Sequence, residues 1–113
     1  MHEVSLAEAV LRIVETSAAE QGFSRVDQMT IEIGEISGVE QVALEFALIH
    51  MAPGTLIENT TLVFENTEGS GYCQNCQCRV RIDWPASPCP DCGEGSLLDI
   101  EGTELRVREL KVI

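Results

Sequence analysis

Two pairs of cysteines, each with the spacing C-x-x-C, constrain this 113-residue chain more than any other feature. The first pair is Cys73 and Cys76, the second is Cys89 and Cys92, and twelve residues lie between the pairs. Two such pairs form two turns whose thiolates converge on one tetrahedral ion, and four thiolates suit Zn²⁺. Because a four-cysteine site leaves no open position for water, we expect a structural zinc site rather than a catalytic one.

The main alternative to zinc is redox chemistry, since a single C-x-x-C pair can be a thioredoxin-type motif. Two pairs at zinc-ribbon spacing favour zinc. A redox enzyme would need a reactive cysteine that zinc does not hold, and only Cys78 is spare. We interpret Cys78 as a small filler or a free thiol; the alternative is that it exchanges with Cys76 as a ligand. An odd number of cysteines without a secretion signal argues against a disulfide framework.

The charge of the chain excludes two classes of partner. Its 19 acidic and 7 basic residues give a formal net charge of −12. A nucleic-acid-binding protein gains most of its affinity from Lys and Arg, and an anionic membrane would repel so acidic a protein. We therefore expect neither partner. With no signal peptide and no apolar stretch of about 18 residues, we expect a cytoplasmic protein.

Apolar periodicity predicts an α/β unit over roughly the first 66 residues. A capping box formed by Ser5 and Glu8 predicts the start of a first helix, and Gly22 predicts its end. The expected buried face of this helix contains Leu6, Val10, Ile13, Val14 and Ser17. Alternation of Met29, Ile31 and Ile33 with less apolar residues then predicts a half-buried strand.

A second capping box, Ser37 with Glu40, predicts a second helix that ends before Pro53 and Gly54. Its expected buried stripe contains Val39, Val42, Ala43, Phe46 and Ile49. His50 lies near the end of this helix, where we expect it to pack in the core or to cap the helix. Residues 60–66 predict another strand.

The remaining sequence predicts a small zinc lobe and a returning strand. Residues 68–71 contain two glycines and predict a flexible boundary, and short strands are expected at 79–82 and 97–100. In the run 104–113, the apolar residues change from odd to even positions near Arg108 and Glu109, which predicts a strand with a bulge. We expect this strand to pair with the first unit. The expected fold class is α+β: two helices packed on a small mixed sheet, with an inserted zinc-ribbon-like lobe. The expected domains are 1–68 with 103–113, and 69–102.

The amino terminus, Met1-His2-Glu3-Val4, precedes the first predicted helix. The α-amine of Met1, the backbone amide of His2 and the His2 imidazole can form adjacent chelate rings. Planar coordination by nitrogen favours Ni²⁺ or Cu²⁺ over Zn²⁺. The amide or carboxylate of Glu3, or an outside ligand, could complete the square.

These motifs together resemble the HypA/HybF family of nickel metallochaperones. The resemblance rests on Met1-His2-Glu3 before a Ser-led helix, on the segment 32–37 (Glu-Ile-Gly-Glu-Ile-Ser) and on the two C-x-x-C pairs. It implies a non-enzymatic protein that delivers Ni²⁺ for maturation of [NiFe]-hydrogenase and, in some organisms, of urease. It implies that His2, with the Met1 amine and backbone amides, binds nickel and that Glu3 supports the site. It also implies structural zinc on Cys73, Cys76, Cys89 and Cys92.

The resemblance further implies three kinds of protein partner. These are a hydrogenase-maturation GTPase, the precursor of the hydrogenase large subunit and, where urease is the client, urease accessory proteins. The sequence leaves the choice between hydrogenase and urease open, and it carries no signal for an oligomeric state.

Overall fold

A computed structural model describes residues 2–113, which form two helices and six strands. In chain order these elements are α1 (His2–Gln21), β1 (Val26–Gly34), α2 (Gln41–Met51), β2 (Thr61–Thr67), β3 (Ser70–Cys73), β4 (Cys78–Arg81), β5 (Leu98–Glu101) and β6 (Leu105–Val112). The predicted α+β class is confirmed.

The strands form two three-stranded sheets, with the orders β2-β1-β6 and β4-β3-β5. Pairing of β6 beside β1 confirms that the last strand returns to the first sheet. Within β6, Leu105, Val107 and Leu110 are half-buried, so the buried positions change parity near Arg108 as predicted. Because β1 is the central strand, Thr30 is buried along with its apolar neighbours.

The chain divides into two compact units. The first contains Met1–Ile31, Glu40–Phe64 and Arg106–Ile113, and the second contains Glu32–Val39 and Glu65–Leu105. The zinc-lobe range proposed from the sequence, 69–102, lies inside the second unit. That unit also contains residues 32–39, which come from the end of β1 and the turn after it.

Helix α1 begins earlier than the sequence predicted. It starts at His2, so Ser5 lies within the helix and the predicted capping box at Ser5 is wrong. The N–H of Gly22 donates to the carbonyl of Ala18 (2.8 Å) and Gly22 has φ +79°, which confirms the predicted end. The buried residues of α1 are Ala7, Val10 and Val14, whereas Ile13, expected in the core, is exposed.

Helix α2 buries a different face from the predicted one. Its buried residues are Leu44 and Leu48, while Val42, Phe46 and Ile49 are exposed. Eight of the eleven residues of α2 are apolar, so two apolar stripes can be buried, and periodicity alone predicted the wrong one. The capping box predicted at Ser37 is also wrong, because the N-cap is Glu40 and makes no side-chain cap. Instead, the Ser37 hydroxyl accepts a bond from the N–H of Val39 (3.2 Å).

The core of the second unit contains residues of the predicted zinc lobe and of the turn after β1. Ile36, Val80 and Ile82 are buried there with two of the cysteines. The flexible boundary predicted at 68–71 is wrong, because Ser70 begins β3 and Gly69 is buried. A Cβ atom at Gly69 would lie 2.8 Å from the carbonyl oxygen of Ile82, so glycine permits this close approach.

Candidate metal centre and amino-terminal site

The first cysteine turn connects β3 to β4. Cys73 is the last residue of β3 and pairs across the ladder with Cys78, the first residue of β4. Gln77 adopts a left-handed conformation (φ +57°) that closes this turn. The N–H of Cys76 donates to the sulfur of Cys73 (3.4 Å) and so tends to lower the pKa of Cys73, but burial and the neighbouring thiols of Cys92 and Cys89 outweigh this bond and raise that pKa.

The second cysteine turn has an equivalent arrangement. Gly93, which directly follows Cys92, has φ +81°, and its N–H donates to the carbonyl of Cys89 (2.8 Å). The N–H of Cys89 donates to the carbonyl of Glu94 (2.8 Å). In both turns, a left-handed residue directly follows the second cysteine.

The four sulfurs converge as the spacing predicted. The Sγ atoms of Cys73, Cys76, Cys89 and Cys92 all lie within 4.8 Å of one another. Cys73 Sγ lies 3.6 Å from Cys92 Sγ, and Cys76 Sγ lies 3.9 Å from Cys89 Sγ. Zinc–sulfur bonds of about 2.3 Å in a tetrahedron place sulfurs about 3.8 Å apart, so this cluster fits a zinc ion. Cys78 is exposed and lies outside the cluster.

The surroundings of the cluster affect its thiols unequally. A hydrogen bond from the Asn75 side chain, with help from the Glu94 backbone, lowers the pKa of Cys92 to about 7. The hydrogen bond of Cys76 to Cys92, together with burial, raises the pKa of the Cys76 thiol. One thiolate is therefore favoured near neutral pH, and a bound dication would stabilise the others. Sequence reasoning missed Asn75, although its side-chain amide is the only neutral donor group besides that of Gln74 between the first two cysteines.

The predicted nickel residues lie in the first turn of α1. The His2 side chain is 65% exposed, and its Nδ1 atom lies 3.7 Å from Oε2 of Glu3. The same Glu3 oxygen accepts a hydrogen bond from the N–H of Glu40 (3.0 Å). That bond, opposed in part by burial and helped by His2, lowers the pKa of the Glu3 carboxyl. Met1, whose amine belongs to the predicted site, lies outside the described residues.

His50 is the second histidine of the chain and is exposed near the end of α2. Its Nδ1 atom lies 3.0 Å from the carbonyl oxygen of Phe46, and the centroids of the two rings are 4.0 Å apart. This local contact and the exposure of His50 contradict burial in the core, and its role in capping the helix stays a prediction. Among residues 2–113, neither helix combines the length and apolar character needed to cross a bilayer.

Comparison with known proteins decides the family. The model of the HypA family, described as hydrogenase/urease nickel incorporation, metallochaperone, matches residues 1–112. The chain belongs to the HypA family. The resemblance noted from the sequence is thereby confirmed. Nickel incorporation into hydrogenase or urease by a metallochaperone is the function that describes this family.

Relatives of this HypA-family chain match it from end to end. The hydrogenase maturation factor HypA of Paracoccus denitrificans (strain Pd 1222) is 42% identical over 113 residues, which is 100% of both chains. The hydrogenase maturation factor HypA of Polaromonas naphthalenivorans (strain CJ2) is 40% identical and covers 99% of this chain and 97% of its own.

Solved structures share the fold. The solution structure of the Ni metallochaperone HypA from Helicobacter pylori superposes with a TM-score of 0.73 at 18% identity, covering 98% of this chain and 97% of that one. A second solution structure of a HypA protein gives a TM-score of 0.71 at 19% identity, covering 100% and 97%.

Proposed function

We propose that this HypA-family chain is a cytoplasmic nickel metallochaperone that carries Ni²⁺ on its first residues and performs no bond chemistry itself. The observation that carries the proposal is the match of the family model over 112 of the 113 residues. It is supported by the position of His2, whose exposed imidazole stands at the very start of α1.

The start of a helix suits the proposed nickel ligands. The first four N–H groups of an α-helix have no partner within the helix, so helix formation does not consume the amides of His2 and Glu3. In the proposal, the Met1 amine, the His2 amide and the His2 imidazole coordinate nickel, and Glu3 supports the site. A metal held at an exposed chain terminus can be transferred by replacing its ligands one at a time. Because protons compete for these nitrogens, nickel binding weakens as the pH falls.

In the same proposal, the four clustered cysteines hold a structural zinc ion. All four positions of a tetrahedral ion are then filled by protein, so this site lacks the open position that hydrolysis needs. Nickel passes to the precursor of the hydrogenase large subunit, with a maturation GTPase as helper. Urease accessory proteins replace these partners where urease is the client.

Nickel titration of the tag-free protein tests the amino-terminal site. We expect His2→Ala to lose nickel binding and His50→Ala, which changes the other exposed histidine, to keep it. An N-terminal tag should also weaken binding, because it removes the free α-amine. Unchanged affinity in His2→Ala would show that nickel binds elsewhere. Co-purification with hydrogenase and urease precursors then identifies the client.

A further inference from the structure

Helix α2 presents to solvent the apolar residues that the sequence placed in the core. Val42 is 74% exposed and Phe46 is 62% exposed, one helical turn apart on the same side of the helix. Scattered single apolar residues are ordinary on protein surfaces, but a contiguous patch commonly marks a contact site. The two side chains border one continuous depression.

This depression is an open groove of about 800 Å³ formed by α1 and α2. Val4 of α1 and Val42 and Phe46 of α2 are among its apolar lining residues. Among the described residues, the charged ones that line it are Glu3 and Glu40, and no Lys or Arg lines it. The two helices together carry five glutamates and one arginine.

We propose that this groove, the α1–α2 groove, docks an amphipathic helix of a partner protein that has an apolar stripe flanked by lysine or arginine. An apolar groove accepts the i, i+4 and i+7 side chains of such a helix. Acidic groups at the edge attract its cations and accelerate association. From Val42 to His50 the groove follows about 12 Å of α2, which matches two turns of a bound helix.

A second copy of this chain fits the groove less well. In a two-fold dimer the same surface meets itself, so both copies would bring Glu3 and Glu40 to the interface and neither would bring a Lys or Arg of the groove to pair with them. Like charges in such positions oppose association. The charge of the groove therefore favours a basic partner over a second copy.

Docking at this groove would take place beside the amino-terminal site. Glu3 lines the groove, and its Oε2 atom lies 3.7 Å from Nδ1 of His2. A partner's cation that reaches Glu3 would compete with His2 for the same carboxylate. This link between docking and nickel transfer rests on the proposed function, whereas the docking surface does not.

A synthetic probe tests the docking surface directly. A fluorescent peptide of about 14 residues, built from Leu, Ala and Lys as an amphipathic helix, is titrated with the full-length protein, and binding is followed by anisotropy. We expect saturable binding that weakens with salt, and chemical-shift changes confined to α1 and α2. The same peptide with Glu in place of Lys, and one with its sequence scrambled, should bind at least about tenfold more weakly.

Variants of the protein then locate the binding site. We expect Val42→Ser combined with Phe46→Ser to weaken peptide binding by about tenfold or more. The matched control is Val112→Ser combined with Ile113→Ser, which removes two exposed apolar side chains of the same unit that do not line the groove. Equal binding by wild type and the groove variant would overturn the proposal, as would equal binding of the Lys and Glu peptides. Dimerisation that the groove variant abolishes, measured by sedimentation velocity, would overturn it in favour of a second copy.

The two proposals fail separately. If His2→Ala loses nickel but binds the peptide, while the groove variant shows the reverse, both proposals are supported. If the peptide test fails while His2→Ala loses nickel as expected, only the proposed docking surface is refuted. If His2→Ala keeps its nickel affinity while the peptide test succeeds, only the proposed function is refuted.

Discussion

The carboxylate of Glu3, in the first turn of α1, accepts a hydrogen bond from the backbone N–H of Glu40 at the start of α2 (3.0 Å). In a capping box, the N3 residue of the same helix provides this acceptor. Here the N3 residue of α2 is Ala43, which has no polar side chain, and Glu3 provides the acceptor from another helix. A carboxylate at this position also interacts favourably with the amino-terminal end of the α2 dipole.

Glu3→Gln should remove a pH-dependent part of the stability. The pKa of Glu3 is lowered from 4.5 in the folded protein, chiefly by the Glu40 amide, so the charged form stabilises the fold above about pH 4.5. That contribution is lost as the pH falls through the lower folded pKa. We expect the free energy of unfolding of wild type to exceed that of Glu3→Gln at neutral pH, and the difference to shrink on acidification. Urea denaturation over a pH series measures it, and Glu8→Gln, which changes an exposed glutamate of α1, is the control.

Leu44→Ala should be far more damaging than Phe46→Ala, although Phe is larger. Leu44 is fully buried and its truncation leaves a cavity, so we expect a loss of about 2–5 kcal/mol. Phe46 is exposed, so its truncation should change the free energy of unfolding by about 0.5 kcal/mol or less. Urea denaturation compares the two. Similar losses for both variants would contradict the assignment of the buried face of α2.

Removal of the metal should affect the second unit first. Trp84, the one tryptophan of the chain, lies in that unit, whereas both helices lie in the first unit. Because zinc binding contributes about 10–16 kcal/mol to folding in zinc-finger peptides, we expect a chelator to unfold residues 72–100. Trp84 fluorescence should change while the helical circular dichroism signal is largely retained. A single transition that abolishes both signals would contradict two separable units.

Substitution of single cysteines should separate ligands from the spare thiol. Cys89 belongs to the sulfur cluster, and Cys78 is exposed outside it. We expect Cys89→Ser to lose the bound metal and Cys78→Ser to retain one equivalent, as measured by elemental analysis of the purified protein. Metal loss in Cys78→Ser would instead support its exchange with Cys76.

The ion pair between Arg81 and Glu35 should give a positive coupling within the second unit. Arg81 donates to Glu35 (2.5 Å), whose other oxygen accepts the N–H of Gly69 (3.2 Å). The pKa of Glu35 is lowered mainly by the hydrogen bond from Gly69 and, to a smaller extent, by the one from Arg81. A double-mutant cycle with Glu35→Gln and Arg81→Gln, followed by Trp84 fluorescence, should show coupling that diminishes with added salt. The control cycle combines Glu35→Gln with Arg79→Gln. Arg79 forms an ion pair with Glu101 (3.7 Å), so this cycle should show much less coupling.

Local chemistry made part of this structure predictable. The C-x-x-C spacing alone located the four sulfurs that converge, because each turn is closed within five residues by its own backbone. Gly22 ended α1 for the same reason, since a left-handed residue at that position depends on its neighbours alone. These turns were predicted correctly because their conformation is determined over a few residues, whereas the return of β6 to the first sheet was predicted from the apolar character of residues 104–113.

The errors occurred where distant residues compete. Ser5 and Ser37 both begin sequences with the spacing of a capping box, yet α1 starts at His2 and α2 starts at Gln41. The acceptor that α2 uses lies 37 residues away in Glu3, and no local pattern reveals it. Residues 68–71 contain the glycines of a linker, but Gly69 lies close to Ile36 and Ile82, and Gly71 lies close to Leu97 and Ile100, so both glycines are packed within the second unit.

Residue identity and spacing were enough to identify the four cysteines that cluster and the family of this protein. Only the tertiary structure decided which face of α2 is buried. Both faces of this helix are apolar, so the energy of burial hardly distinguishes them, and packing selected Leu44 and Leu48 for the interior. The same selection left Val42 and Phe46 in solvent, where they line the α1–α2 groove beside Glu3.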